Sequence, residues 1–199
     1  GNFPPGAVIP AGTPFVTLGG GFLYDGGVGQ NQLVSRFDTD WTLTPSTLTA
    51  GNGENISLAN VSDASLFGGA SINRIEVFGW NGTVLLNAEL SSDNYFVHAP
   101  ALGAVTVLDP NGTVDALTVY ATSNKETIFI TGDVIGFGGE FLTYSGTETV
   151  NVFGGRGDDT FAVINSVAQT INLDGEDGSD IYGVFGGITS SQLFFHDSG

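Results

Sequence analysis

The chain has 199 residues, with four Lys and Arg against 21 Asp and Glu, giving a formal charge of −17. Neutralising phosphates requires clustered cations, and Arg36, Arg74, Lys125 and Arg156 are scattered, so nucleic acid and anionic membrane surfaces are excluded as partners. Only 13% of residues are charged and 41% are hydrophobic, which is the balance of a chain that can bury a core and not of a disordered acidic tail.

Cysteine is absent, so disulfides and thiolate metal sites are ruled out. With 31 glycines and no disulfides, rigidity must come from stacked β-structure, bound calcium or both. The chain opens at Gly1 and contains no Met. No basic segment precedes an apolar run, so no signal peptide is visible, and the expectation is a mature or excised stretch of something longer. No apolar run reaches the roughly 18–20 residues that cross a bilayer, so a soluble segment is expected.

In chain order, the Pro-rich stretch 1–21 reads as a linker or the end of a preceding repeat. Short alternating runs rich in Val, Thr, Ile and Phe then follow. They are predicted at Gln32–Phe37, Asp40–Thr44, Arg74–Gly79, Thr83–Leu90, Ala104–Leu108 and Ala116–Ala121. The series continues with Thr127–Thr131, Glu140–Tyr144, Thr149–Phe153, Thr160–Ile164, Thr170–Leu173, Asp180–Phe185 and Gln192–His196. Gly, Asn, Asp or Pro bounds each run and supplies turns. Roughly 15–19 strands, about ten residues apart, are expected.

A longer period is superimposed. Phe22–Gly27, Val107–Gly112 and Phe194–Gly199 resemble one another, with Asp25, Asp109 and Asp197 in matching places. Ile75–Gly79 is echoed by Val150–Gly154. This divides the chain into a degenerate β-repeat unit at 22–104, a second unit at 105–192 and the start of a third at 193–199. Two all-β architectures fit: a β-solenoid resembling a right-handed parallel β-helix, with coils of about 20 residues, or tandem β-sandwich domains of seven or eight antiparallel strands. Glycine-aspartate turns favour the first.

Those turns carry the main chemical signal. Gly154-Gly155-Arg156-Gly157-Asp158-Asp159-Thr160-Phe161-Ala162 fits the nonapeptide G-G-x-G-x-D-x-U-x at every defined position. Its glycines let turn carbonyls point inward, its Asp offers a hard anionic oxygen, and Phe161 anchors the next strand. Twenty-one residues on, Gly175-Glu176-Asp177-Gly178-Ser179-Asp180-Ile181-Tyr182 keeps the pattern but places Glu at its second position.

This sequence resembles the calcium-binding RTX β-roll repeat. It resembles more closely the large repetitive surface proteins of environmental bacteria, on the phrase running from Leu142 to Val163. The likeness is good over about 105–185 and weak over 22–80. It implies an extracellular, cell-surface scaffold, fibre or adhesin with no catalytic centre, commonly calcium-dependent. In RTX β-rolls the nonapeptides run back to back, whereas here they stand 21 residues apart. Ca²⁺ would then need ligands from neighbouring coils, drawn from Asp158, Asp159, Asp174, Asp177 and Asp180. The plainer reading is that these residues only shape tight turns. In the first unit, Phe78–Thr83 has no carboxylates and is expected to bind nothing.

Arg156-Gly157-Asp158 spells an integrin-recognition tripeptide, a match that arises readily by chance. Sequons at Asn55, Asn60, Asn81 and Asn111 lie in turn-like sequence and are candidate glycosylation sites. His98 and His196 are the only imidazoles, too far apart in sequence for a triad or zinc pattern, and His196 reads as a packing residue. Trp41 and Trp80 read as core.

The sequence thus points to a structural segment of a surface fibre or adhesin, with copies of itself or adjacent repeats as partners and surface glycans as further candidates. A carbohydrate-binding module is the alternative, to be tested at Trp80 and Tyr144. A β-helix polysaccharide-degrading enzyme is the weaker alternative, because four isolated cations do not build a lyase centre and no carboxylate pair stands out.

Overall fold

The computed structural model describes residues 22–100, 103–186 and 191–199. The linker expected at 1–21 lies outside these residues. Among them there is no helix and there are nineteen strands.

The first strands are β1 (Phe22–Asp25), β2 (Gln32–Arg36), β3 (Trp41–Thr44), β4 (Thr47–Ala50), β5 (Asn55–Ala59), β6 (Asp63–Gly69) and β7 (Arg74–Phe78). Next come β8 (Thr83–Glu89), β9 (Asn94–His98), β10 (Val105–Leu108), β11 (Ala116–Tyr120), β12 (Thr127–Thr131) and β13 (Val134–Phe137). The last are β14 (Glu140–Ser145), β15 (Thr149–Phe153), β16 (Thr160–Val163), β17 (Thr170–Asp174), β18 (Ile181–Val184) and β19 (Gln192–His196).

They form two mixed sheets and no closed barrel. One has ten strands in the order β1-β5-β4-β3-β7-β9-β11-β15-β17-β19, the other nine in the order β18-β16-β12-β13-β14-β10-β8-β6-β2. From β5 onward the chain alternates between the sheets, except where β12, β13 and β14 stay together. Parallel pairing dominates. Antiparallel pairing, which the sandwich alternative requires throughout, is confined to the β3-β4-β5 and β12-β13-β14 meanders.

The parallel pairs are in register over similar residues, which explains how these sequences hold a sheet. Val77, Val97, Val119, Val152 and Leu173 lie side by side across five strands of the ten-stranded sheet. All five are buried. Ile75, Tyr95, Leu117, Val150 and Ile171 make a second buried row. Such β-branched rows pack well on a pleated surface, and alternation turns the intervening residues outward. In the nine-stranded sheet, Leu66, Leu86, Val107 and Tyr144 form the matching inward row. One continuous apolar core results. It crosses the 104/105 boundary between the units expected from the sequence, because β8 pairs with β10 and β9 with β11.

Six strands fall where no run was expected: β1, β4, β5, β6, β9 and β13. β4 and β13 are middle strands of the meanders, and Gly, Ser, Asn or Asp interrupts the pattern around the others. Of the three echoed phrases, β1 and β19 lie in the ten-stranded sheet and β10 in the nine-stranded one.

Candidate metal centre

One hydrogen-bond pattern positions the polar side chains at the strand entries. The residue just before a parallel strand exposes an N–H, and the side chain of the corresponding residue before the next strand of that sheet accepts it. Asn73 N–H donates to Asp93 Oδ1, Asp93 N–H to Asp115 Oδ1 and Asp115 N–H to Glu148 Oε2, each at 2.7 Å. In the nine-stranded sheet, Glu126 N–H donates to Asp159 Oδ1 and Asp159 N–H to Asp180 Oδ1, again at 2.7 Å. Ser62 Oγ serves the Asn31 N–H in the same way, at 2.9 Å. These amides precede regular sheet pairing, so without the side chains they would be buried and unsatisfied.

At one place this arrangement gathers carboxylates. Asp93 ends the link between β8 and β9, while Asp109 and Asp115 bracket the link between β10 and β11. A carboxylate oxygen from each lies within 4.8 Å of the others. Asp93 and Asp115 are fully buried and Asp109 is 1% exposed. One oxygen of each is engaged. Asp93 Oδ1 and Asp115 Oδ1 hold the amides above, and Asp109 Oδ2 accepts the Tyr95 hydroxyl at 2.5 Å. Tyr95 Oη in turn accepts Ala88 N–H at 2.7 Å. The other three oxygens, Asp93 Oδ2, Asp109 Oδ1 and Asp115 Oδ2, are buried with no hydrogen-bond partner. Gly112 packs against the Asp115 carboxylate, and a Cβ there would stand 1.8 Å from Asp115 Oδ2.

Burial disfavours charge on these groups, and the neighbouring carboxylates add to it. Together they push Asp93 and Asp115 up to about 6, against the amide hydrogen bonds that favour the charged form. Burial also raises Asp109, although the Tyr95 hydroxyl and the backbone amides of Asn111 and Gly112 act to lower it. No Lys, Arg or His forms an ion pair with any of the three among the described residues. A buried, all-oxygen donor set of this kind could hold a metal ion.

The five carboxylates expected to bind Ca²⁺ are distributed differently. Among the described residues, the Asp93–Asp109–Asp115 group alone brings three ligand-type side chains this close. The two glycine turns do stack, with Gly157 N–H donating to Asp177 O at 2.8 Å and Asp177 N–H to Gly155 O at 3.0 Å. Asp158 Oδ1 accepts Ser179 N–H at 3.1 Å, and exposed Asp177 pairs with Arg156 at 3.5 Å. Asp174 Oδ1 accepts the amides of Glu176 and Ser198, each at 3.1 Å. Burial acts to raise Asp174, and those amides outweigh it and keep its pKa low. Asp159 and Asp180 are neighbours, each with one buried oxygen lacking a partner, and burial raises Asp159.

The four sequon asparagines are exposed. Asn55 opens β5 instead of sitting in a turn, and Asn60 Nδ2 donates to Asp25 Oδ1 at 2.8 Å. Trp41 and Trp80 are core, each 1% exposed. Tyr144 is equally buried, so neither residue chosen to test sugar binding reaches the surface. His196 is exposed on β19 and does not pack as expected, because β19 is an edge strand among the described residues.

An unforeseen feature lies on the outer face of the ten-stranded sheet. Phe78, His98, Tyr120 and Phe153 stack in sequence, with centroids 4.1, 4.6 and 5.1 Å apart. His98 Nε2 meets Glu76 Oε1 at 2.8 Å, and Glu76 also pairs with Arg74, whose guanidinium covers the Phe96 ring. The two inner rings, His98 and Tyr120, have both faces covered by their neighbours, so neither presents the open face that sugar stacking needs.

Comparison with known protein families, with curated proteins and with solved structures finds no match. The metal-binding potential must be read from the residues themselves. A sequence signal for it exists: Asp93-Asn94-Tyr95-Phe96-Val97 and Asp115-Ala116-Leu117-Thr118-Val119 share the pattern D-x-apolar-x-V at a spacing of 22. It is weak because nothing local indicates that Asp109 folds back between them.

Proposed function

We propose that this chain is a structural, non-enzymatic segment of a repetitive surface fibre or adhesin outside the cell, wound as a β-solenoid. The observation that carries the reading is the parallel step between neighbouring strands. Arg74 pairs with Asn94, Asn94 with Ala116, Thr149 with Thr170 and Thr170 with Gln192, so these steps are 20, 22, 21 and 22 residues. Thr160 pairs with Ile181 at the same 21-residue step in the other sheet. A chain that alternates between two sheets and returns one strand further on after about 21 residues describes a winding of that length. Stability in such an array comes from contacts between neighbouring turns, which suits an extended load-bearing element.

Partners follow from the edges. Among the described residues, β18 and β19 are edge strands, and Ile181, Phe185, Phe194 and Phe195 near them are 45–74% exposed. Unpaired parallel edges with apolar side chains favour addition of another strand, either from a further repeat or from another copy. Small-angle scattering together with electron microscopy tests the reading. A rod of constant cross-section, lengthening with concentration, is the expected result. A compact particle that stays monomeric at millimolar concentration would overturn it.

A further inference from the structure

We propose that Asp93, Asp109 and Asp115 form a calcium site that clips together the β8–β9 and β10–β11 connections, separate from the glycine-aspartate turns at 154–159 and 175–180. This holds whatever larger assembly the chain belongs to.

Each of the three side chains has one oxygen fixed by a hydrogen bond and one left over. Fixing the first oxygen restrains the second, and the three carboxylates offer oxygens within 4.8 Å of one another. A buried carboxylate oxygen left unpaired is costly, and three carboxylates with oxygens within 4.8 Å of one another add mutual repulsion. A divalent cation removes both costs together.

The donor chemistry selects the ion. All three donors are carboxylate oxygens, which suits a hard cation and disfavours zinc or copper. Mg²⁺ retains several waters, and these side chains are essentially closed to solvent. Ca²⁺ tolerates irregular oxygen shells of six to eight ligands, so further oxygens of the two connections would complete its shell. The Asp159–Asp180 pair has the same orphaned oxygens but no third carboxylate, and so serves as an internal control.

The test uses the full chain, freed of metal by chelation and returned to neutral buffer. Calorimetric titration with CaCl₂ is run beside Tb³⁺ luminescence excited through tyrosine, since the Tyr95 hydroxyl bonds to Asp109. The expected result is saturable uptake of Ca²⁺ that displaces Tb³⁺. Affinity should fall at least about tenfold in Asp93→Asn and Asp115→Asn. These variants relieve repulsion and so keep the fold, which circular dichroism verifies. Asp180→Asn should bind like the parent. Gly112→Ala, whose methyl group would collide with Asp115 Oδ2, should weaken binding in the same direction. No Ca²⁺ uptake at millimolar concentration, uptake unaffected by Asp93→Asn and Asp115→Asn, or preference for Mg²⁺ over Ca²⁺ would each overturn the assignment.

Discussion

The backbone N–H of Asp93 donates to Oδ1 of Asp115, 22 residues further along the chain, at 2.7 Å. The same bond joins Asp159 to Asp180 across 21 residues. A side chain therefore finishes what the sheet leaves open at the start of these strands, and it does so between adjacent strands. Replacing Asp115 by Ala should strand the Asp93 amide and cost about 1–3 kcal/mol. Asp115→Asn keeps an acceptor and sheds a charge, so in chelator it should melt at or above the parent temperature. Thermal unfolding followed by circular dichroism separates the two. Equal losses in both variants would mean that the amide bond is not what Asp115 contributes.

Metal removal should be visible in the same measurement. A ligand held at a thousand times its dissociation constant stabilises the native state by about 4 kcal/mol. For a chain of this size that is on the order of 10 °C in melting temperature. EDTA should lower the transition, and Ca²⁺ in excess should restore it in the parent but not in Asp93→Asn. A transition insensitive to both reagents would contradict a structural ion.

The two glycine turns differ at one informative position. Gly155 has φ 91° and Glu176, its counterpart, has φ 61°, both in the left-handed region where a side chain is strained. Glu176→Gly should relieve this and stabilise by about 0.5–1 kcal/mol, net of glycine's greater freedom in the unfolded chain. Denaturant titration measures it, and a loss of stability would show that the Glu176 side chain compensates its backbone.

Acid should act through Glu76. Burial works to raise its pKa, but Arg74 and His98 outweigh it and hold the group below its ordinary 4.5. The folded state thus prefers the charged form. That stabilisation is present above about pH 4.5 and is lost as pH falls through the depressed folded value. Melting curves between pH 3 and 7 should show this loss in the parent and a flatter profile in Glu76→Gln. The variant should already be weaker by about 1–3 kcal/mol at pH 7, because hydrogen bonds to a charge are removed.

Two phenylalanines that look alike in sequence should respond differently. Phe161 is 1% exposed and stacks on Tyr182, so Phe161→Ala should cost about 3–5 kcal/mol. Phe153 closes the outward aromatic row beside Tyr120 and is only partly buried, so its truncation should cost clearly less. Comparable losses would place Phe153 in the core.

The legibility of this fold in its sequence follows the same distinction. Alternation of Val, Ile and Thr marks β7, β11, β12 and β15 closely, since each strand has one face buried and is bounded by polar turns. It does not mark which way a residue faces: Phe161 is buried in the core, whereas Phe153 joins the outward aromatic row. Nor does it reveal β4 and β13, whose pairing depends on antiparallel neighbours on both sides. The acidic turns at 154–159 and 175–180 catch the eye because glycine and aspartate are adjacent there. The carboxylates that do converge are 16 and 6 residues apart, from Asp93 to Asp109 and from Asp109 to Asp115, and only the return of the chain brings them together.

The two antiparallel meanders have a joint geometric effect. From β1 to β7 the ten-stranded sheet advances four strand positions, while from β2 to β8 its companion advances two. Later, from β8 to β16, the nine-stranded sheet advances five positions while the other, from β7 to β15, advances three. At strand spacing, two positions amount to about 10 Å. The first detour thus slides one sheet ahead and the second lets the other catch up. Excising the Thr47–Ala50 detour alone would leave the sheets permanently out of step, so the two excursions belong together although 87 residues separate Thr47 from Val134.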